Sequence, residues 1–402
     1  MLDWLIVGGG IHGVHAALVL TQRADTPADR LCILDPQPSL LGRWTQCTKN
    51  VGMAFLRSPL VHHLGLGAFD LLTFARTPEG RPLAAFAAPY DRPGYALFQA
   101  HCRRLVADAE LERRHLRQRA VGLSPIAERG WRVETPEGSL EARRVLLALG
   151  LSEQPAWPDW AQQLKVAGGS VWHVFDGDFH TAALPAWRKA VVFGGGITAA
   201  QLALALSTRQ PGTVTLLMPH PARIHQFDSD PGWLGPKYMR AFEAEPSLVA
   251  RRRMIREARH RGSIPPDVHR DLRRAVRHGE ITLLEARVAK AVVAGGNVVL
   301  DLDNGDNLKT DCLLLATGFD ARRPGGAWLD AAIAQWGLPT APCGYPVVSK
   351  ALRWARGLYV MGPLAELELG PTARNIAGAR KAADRLAQVV ERRHAKHQVG
   401  VV

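Results

Sequence analysis

The sequence predicts an α/β protein of two successive three-layer units, each a parallel sheet between helices with a small antiparallel β insertion. Three observations carry this prediction. An apolar strand, a triple-glycine turn and an apolar helix follow one another at residues 5–20 and again at 190–206. Each set is followed by alternating, hairpin-like segments, 119–144 in the first half and 287–311 in the second. Each hairpin region then feeds an apolar run ending in glycine, Leu146 to Gly150 and Leu313 to Gly318. Strands buried on both faces read as continuous apolar runs, whereas half-exposed strands alternate, so the pattern is that of parallel sheets with antiparallel additions.

The glycine turns set the class of ligand. In a strand-turn-helix of the form G-x-G-x-x-G, the first glycine permits the tight turn and the second lets a pyrophosphate approach the backbone. The third lets helix pack on strand, and the phosphates rest at the helix N-terminus. Gly8, Gly10 and Gly13 meet this rule, and Gly194, Gly196 and Ala199 meet its G-x-G-x-x-A form. Two Rossmann-like dinucleotide-binding domains are therefore expected. Asp35 closes the second strand, Leu-Cys-Ile-Leu-Asp, at the place where a carboxylate accepts hydrogen bonds from a ribose diol. The equivalent strand of the second unit ends without an acid but with His220 and Arg223, which suits a 2'-phosphate and favours NADPH over NADH. The expected division is 1–155 plus 326–402 for the first domain and 156–325 for the second, with a helical insertion at about 223–280. A terminal helix is expected from Pro371 to about Glu391.

Composition narrows the remaining classes. The 402 residues are 47% hydrophobic and 22% charged, as in ordinary globular chains. No apolar run is long enough for a membrane span, and the first apolar strand begins too close to Met1 for a signal peptide, so a cytoplasmic enzyme without an integral membrane segment is expected. Cys32, Cys47, Cys102, Cys312 and Cys343 form no CxxC pair, which argues against a redox dithiol, and no metal site is expected. His62-His63 read as structural, and His12 as shaping the first turn. The net charge is +13, and only 9 of the 50 basic residues are lysine. The densest basic stretch, 250–279, reads as two amphipathic helices broken at Ser263 to Pro266. A solvated face is the favoured reading there and an anion, membrane or nucleic-acid surface the alternative; with no RNP or zinc-finger pattern, no nucleic-acid partner is expected. Trp233, Tyr238 and Phe242 are either a roof over the substrate or the core of the insertion.

Taken together, Gly8-x-Gly10-x-x-Gly13, Asp35, Gly42-Arg43-Trp44, the second glycine turn and Ala-Thr-Gly-Phe at 316–319 resemble the two-dinucleotide-binding-domain flavoproteins, in particular the class B flavin monooxygenases. Met53-Ala-Phe-Leu-Arg57-Ser-Pro59 and Tyr90-Asp-Arg92 are similar to the ornithine/lysine N-hydroxylase branch. The resemblance implies FAD held by the first domain with Asp35, Arg43 and Trp44, and NADPH held by the second with Gly318 nearby; after Gly362, a helix N-terminus near Pro371 and Asn375 is expected to offer N–H groups toward the flavin. It implies oxygenation of a nucleophilic N or S of a small molecule, such as an amine or amino acid, by O2 through a C4a-hydroperoxyflavin. Gln46, Asn50 and Arg57 are the candidate catalytic residues, Arg57 as a bidentate carboxylate holder. Two departures stand out. The segment 167–178 keeps Gly169, His173 and Asp178 of the monooxygenase fingerprint but has Ala167 and Gly177 at its aromatic positions, and Gly362 is followed by Pro363 rather than an acid. A non-oxygenating flavin dehydrogenase or reductase, and a non-catalytic flavin-binding sensor or partner-binding protein, are the alternatives. Oligomeric state is left open.

Overall fold

The computed structural model describes residues 1–24, 26–127 and 129–399, with side chains of the terminal helix described to residue 389. The expected first domain runs to 402, and its residues 400–402 lie outside the described set. One sheet runs in the order Arg353–Ala355, Leu358–Val360, Gly138–Leu147, Leu2–Val7, Leu31–Leu34, His115–Leu116. Leu2–Val7 lies parallel to both neighbours, with Trp4 opposite Leu31 and Arg144, and Val7 opposite Leu34 and Leu147. A second sheet, all parallel, runs Ile281–Glu285, Val214–Met218, Ala190–Phe193, Cys312–Leu315, Val171–His173. The fold is thus the two parallel α/β units the pattern implied.

The two antiparallel additions differ. In the first unit Gly122–Ile126 and Gly130–Thr135 pair onto the long strand Gly138–Leu147, so the hairpin is continuous with the parallel sheet. In the second, Val288–Ala294, Asn297–Leu302 and Asn307–Thr310 form a separate three-stranded sheet, because Asp311 interrupts the chain before Cys312–Leu315. Its carboxylate accepts the N–H groups of Arg188 and Lys189 there.

Each glycine turn opens a helix, Ile11–Gln22 after Gly10 and Ile197–Arg209 after Gly196. The basic stretch folds as Leu248–Ala258, capped by the Ser247 hydroxyl, and Pro266–Arg277. Between them Ser263–Ile264 pairs with Arg223–Ile224. Trp233 and Phe242 are buried with Ile255, Tyr345 and Leu367, and Tyr238 packs against them, so this aromatic run is the insertion's core and not a roof. The terminal helix starts later than expected: Pro371–Arg374 is a 3-10 turn, and the α-helix spans Ile376–Val399. Proline suits the first turn of either helix type, which is why it misplaced the start. No helix among the described residues is long and apolar enough to cross a membrane.

Burial leaves several imidazoles without water. His12, His15, His62, His101 and His173 are each pushed down to about 4, in every case chiefly by burial. Their folded-state values lie below the unfolded value of about 6.5, so the unfolded chain binds protons first as pH falls. The stability they allow is therefore complete above about pH 6.5 and is lost progressively toward pH 4. Thermal unfolding of the apoprotein is expected to shift downward by roughly 5 °C or more between pH 7 and pH 5, the order expected for a loss of a few kcal/mol. A melting temperature flat across that range would show that these histidines are protonated in the folded state.

Candidate functional site

The strand Leu2–Val7 ends at Gly8, whose φ of +113° is closed to most side chains and whose Cβ would lie 2.6 Å from the Ala148 carbonyl oxygen. A Cβ on Gly13 would fall 1.7 Å from the Gly8 oxygen, so the helix rests directly on the turn. Gly10 is the contrast: a Cβ there meets nothing within 4 Å. That space belongs to a cleft of about 1150 Å³ walled by Gly8, Gly10, His12, Asp35, Trp44 and Asn375, among others. It exceeds the usual range for one drug-sized ligand. Asp35 is held at its edge by the N–H groups of Gly9 (2.6 Å) and Gln37 (2.8 Å), one on each carboxylate oxygen, which leaves lone pairs facing the cleft.

The helix Gly42–Asn50 forms the next wall and joins the units. Trp44 packs at 5.3 Å from Phe98 and 5.7 Å from Tyr95. Arg43 donates to the carbonyls of Ser152, Phe175 and Asp176 and to Gln46. Gln46 donates to the carbonyls of Gly177 and Phe179. Asn50, buried, donates to Phe179 O at 2.8 Å and accepts from Thr181 N–H at 3.1 Å. Arg57 donates to the carbonyls of His225 (2.7 Å) and Gln226 (2.9 Å) and to the Ser263 hydroxyl, and burial lowers its pKa. Gln46, Asn50 and Arg57 therefore do not converge on a reacting centre; their polar atoms are spent on the backbone of the second unit, and none lines the cleft. Arg92, 1% exposed, adds a 2.6 Å ion pair to Asp267 beside them.

The second glycine turn has the same frame with a different cover. A Cβ on Gly194 would meet Ala316 O at 2.6 Å, and Ala199 is fully buried beneath it. His220 packs over Gly195 as Asp35 packs over Gly9. Where Gly10 faces open space, Gly196 faces the backbone of Gly262, whose Cα lies 3.4 Å from a Cβ built on it. Arg223 is exposed and donates to Arg261 O at 3.3 Å. Gly318 lines the cleft, and Gly362 lies just behind it, against the His12 ring.

The basic stretch turns one face inward, contrary to the solvated reading. Arg252, Arg256, Arg259 and Arg261 line the cleft. Arg252 and Arg374 share the carboxylate of Glu366, which has no exposed surface. Arg259 and the Asn375 amide both bond Asp228, each at 3.1 Å. Sequence spacing offered no signal for this, since periodicity gives a face and not its direction. The reading of His12 also changes. Its ring makes no hydrogen bond within the turn: both nitrogens are buried and unpartnered. His63, by contrast, is spent on Ala68 O and Gly65 N–H. All five cysteines are free, and only Cys47 lines the cleft. No three metal-ligating side chains gather among the described residues.

Residues 2–384 match the family model described as pyridine nucleotide-disulphide oxidoreductase. Among solved structures, an ornithine N-hydroxylase from Kutzneria sp. 744, bearing reduced FAD, NADP+ and L-ornithine, aligns with a TM-score of 0.76 at 18% identity, covering 98% of this chain and 100% of its own. L-lysine 6-monooxygenase from Pseudomonas syringae gives 0.74 at 17% identity, with 98% and 99% covered. The FAD-bound cadaverine monooxygenase of desferrioxamine biosynthesis from Erwinia amylovora gives 0.72 at 15% identity, with 97% and 94% covered. Likeness at this identity is likeness of fold. No protein of curated function matches the sequence.

The two glycines of the first turn make separable predictions. Gly13→Ala is expected to lower the melting temperature of the apoprotein by about 5 °C or more, the scale of an overpacked core of 1–3 kcal/mol. Gly10→Val leaves the apoprotein melting as wild type, because its side chain enters open space. Equal destabilisation by both would mean that the cleft closes over Gly10 in solution.

Proposed function

The chain belongs to the pyridine nucleotide-disulphide oxidoreductase family, and from that membership we propose that it is an FAD-dependent, NADPH-consuming monooxygenase acting on the nucleophilic nitrogen of a small amine or amino acid. The observation that carries this reading is the single cleft. It begins in a glycine cradle fitted to a pyrophosphate and continues, past Trp44, to a wall shared with the second unit. We divide the chain accordingly into an FAD domain, 1–155 with 326–402, and an NADPH domain, 156–325.

The residues fit the flavin dinucleotide. Gly10 leaves open the space a Cβ would fill, beside the first turn of a twelve-residue helix whose N–H groups lack intrahelical partners. In this assignment Gly8, Gly10 and Gly13 hold the pyrophosphate, Asp35 the adenine-side ribose, and Trp44 and Asn375 flank the flavin end. Gly194, Gly196, Ala199, His220 and Arg223 hold NADPH, with the Gly262 backbone shifting off Gly196. When bound, FAD supplies hydride acceptance from NADPH and the activation of O2. Everything else falls to this chain's side chains.

Their first task is the exclusion of water. Phe175 and Phe319 stack at 4.5 Å across the wall, joined by Trp44 and Leu149. A dry wall protects a reactive oxygen donor from wasteful breakdown. The second is positioning: Arg43, Gln46, Asn50 and Arg57 bind the two units together and fix the distance between their nucleotides. We assign them to that role and not to proton transfer. Cys47 has no second cysteine in the cleft wall, which disfavours dithiol exchange of the kind the family's name describes.

The test is coupling. Purified protein with FAD is given NADPH and a panel of mono- and diamines and amino acids, while hydroxylamine product and hydrogen peroxide are both measured. The proposal expects at least one amine to raise NADPH consumption and to yield hydroxylamine in near-stoichiometric amount. NADPH oxidation that passes wholly to peroxide, or to a quinone, for every amine would favour the non-oxygenating reductase.

A further inference from the structure

The second glycine turn is covered by the chain itself, and the cover touches three residues of the NADPH assignment at once. The backbone of Gly262 lies over Gly196, its Cα 3.4 Å from a Cβ built there, on the side where such a turn brings a pyrophosphate to the backbone. The same residue lies against His220, since a Cβ on Gly262 would fall 2.9 Å from the imidazole Nε2. One residue earlier, the Arg261 carbonyl accepts from the Arg223 guanidinium at 3.3 Å. Arg261 and Gly262 both line the cleft. The first turn has no such cover: nothing lies within 4 Å of a Cβ on Gly10.

The covering tip is short and its flanks are fixed. Arg259 is held by Asp228 at 3.1 Å and by the Pro371 carbonyl at 2.9 Å. Ile264 is fully buried and pairs with Ile224. Between them Gly262 sits at φ +67°, a conformation that disfavours any residue with a side chain. Ser263, 2% exposed, holds the tip down: its hydroxyl donates to the His260 carbonyl at 2.6 Å and accepts from Arg57 at 2.9 Å. Arg57 makes two further bonds, to the carbonyls of His225 and Gln226, so its place does not depend on Ser263.

We propose that residues 261–263 are a strap that competes with the nicotinamide nucleotide for its own site, filling the pyrophosphate seat over Gly196 and latched there by the Arg57–Ser263 hydrogen bond. The inference rests on the NADPH reading of the second unit. Strap and nucleotide need the same space, so binding of one requires displacement of the other, and the apparent affinity for the nucleotide is lowered by the fraction of molecules in which the strap is raised. No covalent bond changes. The open first turn suits a nucleotide that stays, and the strapped second turn suits one that is exchanged in every cycle.

FAD-loaded protein is titrated with NADP+ by calorimetry, wild type beside Ser263→Ala and Gly262→Ala, with melting curves to show that each variant is folded. Ser263→Ala removes the latch and leaves both backbone bonds of Arg57, and is expected to bind NADP+ about 10-fold more tightly, the scale of one hydrogen bond to a charged group. Gly262→Ala places a methyl against His220 and a side chain in the left-handed region, both of which burden the closed strap; it is expected to tighten binding about 5-fold or more. A role for either residue in holding the nucleotide or the fold would weaken binding instead. Equal or weaker binding of NADP+ by either folded variant overturns the strap and leaves the NADPH reading standing. Failure of all three proteins to bind NADP+ overturns the NADPH reading and this inference together.

Discussion

A carboxylate with no exposed surface holds the roof of the cleft in place. Glu366 is shared by Arg252, from the insertion of the second unit, and Arg374, from the segment that leads into the terminal helix. Neither guanidinium tolerates burial without a counter-charge, and the carboxylate tolerates it less, so the three fix one another's positions. Removing Glu366 would leave two guanidiniums without their shared counter-charge. Through this triad the helix Leu248–Ala258 is pinned over the first unit, and its inner face becomes a wall of the cleft.

The same logic recurs along the rest of the boundary in a milder form. Arg43, Gln46, Asn50 and Arg57 reach from the first unit to backbone carbonyls of the second, and Arg92 reaches to Asp267. Bonds to backbone fix position without depending on partner side chains, and a planar guanidinium can satisfy two or three carbonyls at once. The result is one cleft whose two sides keep a set spacing, as the proposed reaction between two nucleotides would require. On the proposed reading the chemistry needs no conspicuous catalytic residue, because the reactive atoms would belong to the cofactors, and geometry and dryness are what the chain contributes.

Much of this was legible in the sequence, for local reasons. The glycine turns, the strand that ends at Asp35 and the break between the two basic helices are each written in fewer than about fifteen consecutive residues, and each obeys a steric or periodic rule. What could not be read was long-range. Arg57 carries the signature of a carboxylate holder, yet its partners lie near residue 225, and only folding brings them within reach. The basic helices announced an amphipathic face but not that Arg252 would meet Glu366. His12 looked like a turn residue because nothing local distinguishes an imidazole that bonds its own loop from one that bonds nothing. Likewise the second turn satisfies the same rule as the first, and the Gly262 backbone over Gly196 is a property of the insertion.

Together these contacts are expected to make the two units one rigid frame around the cleft. Small-angle scattering of the protein with FAD, before and after saturation with NADP+, tests it most directly. The account predicts an unchanged radius of gyration, with any movement confined to the backbone over the second glycine turn. A change of more than about 1 Å, as rigid-body closure of one unit on the other produces, would contradict it.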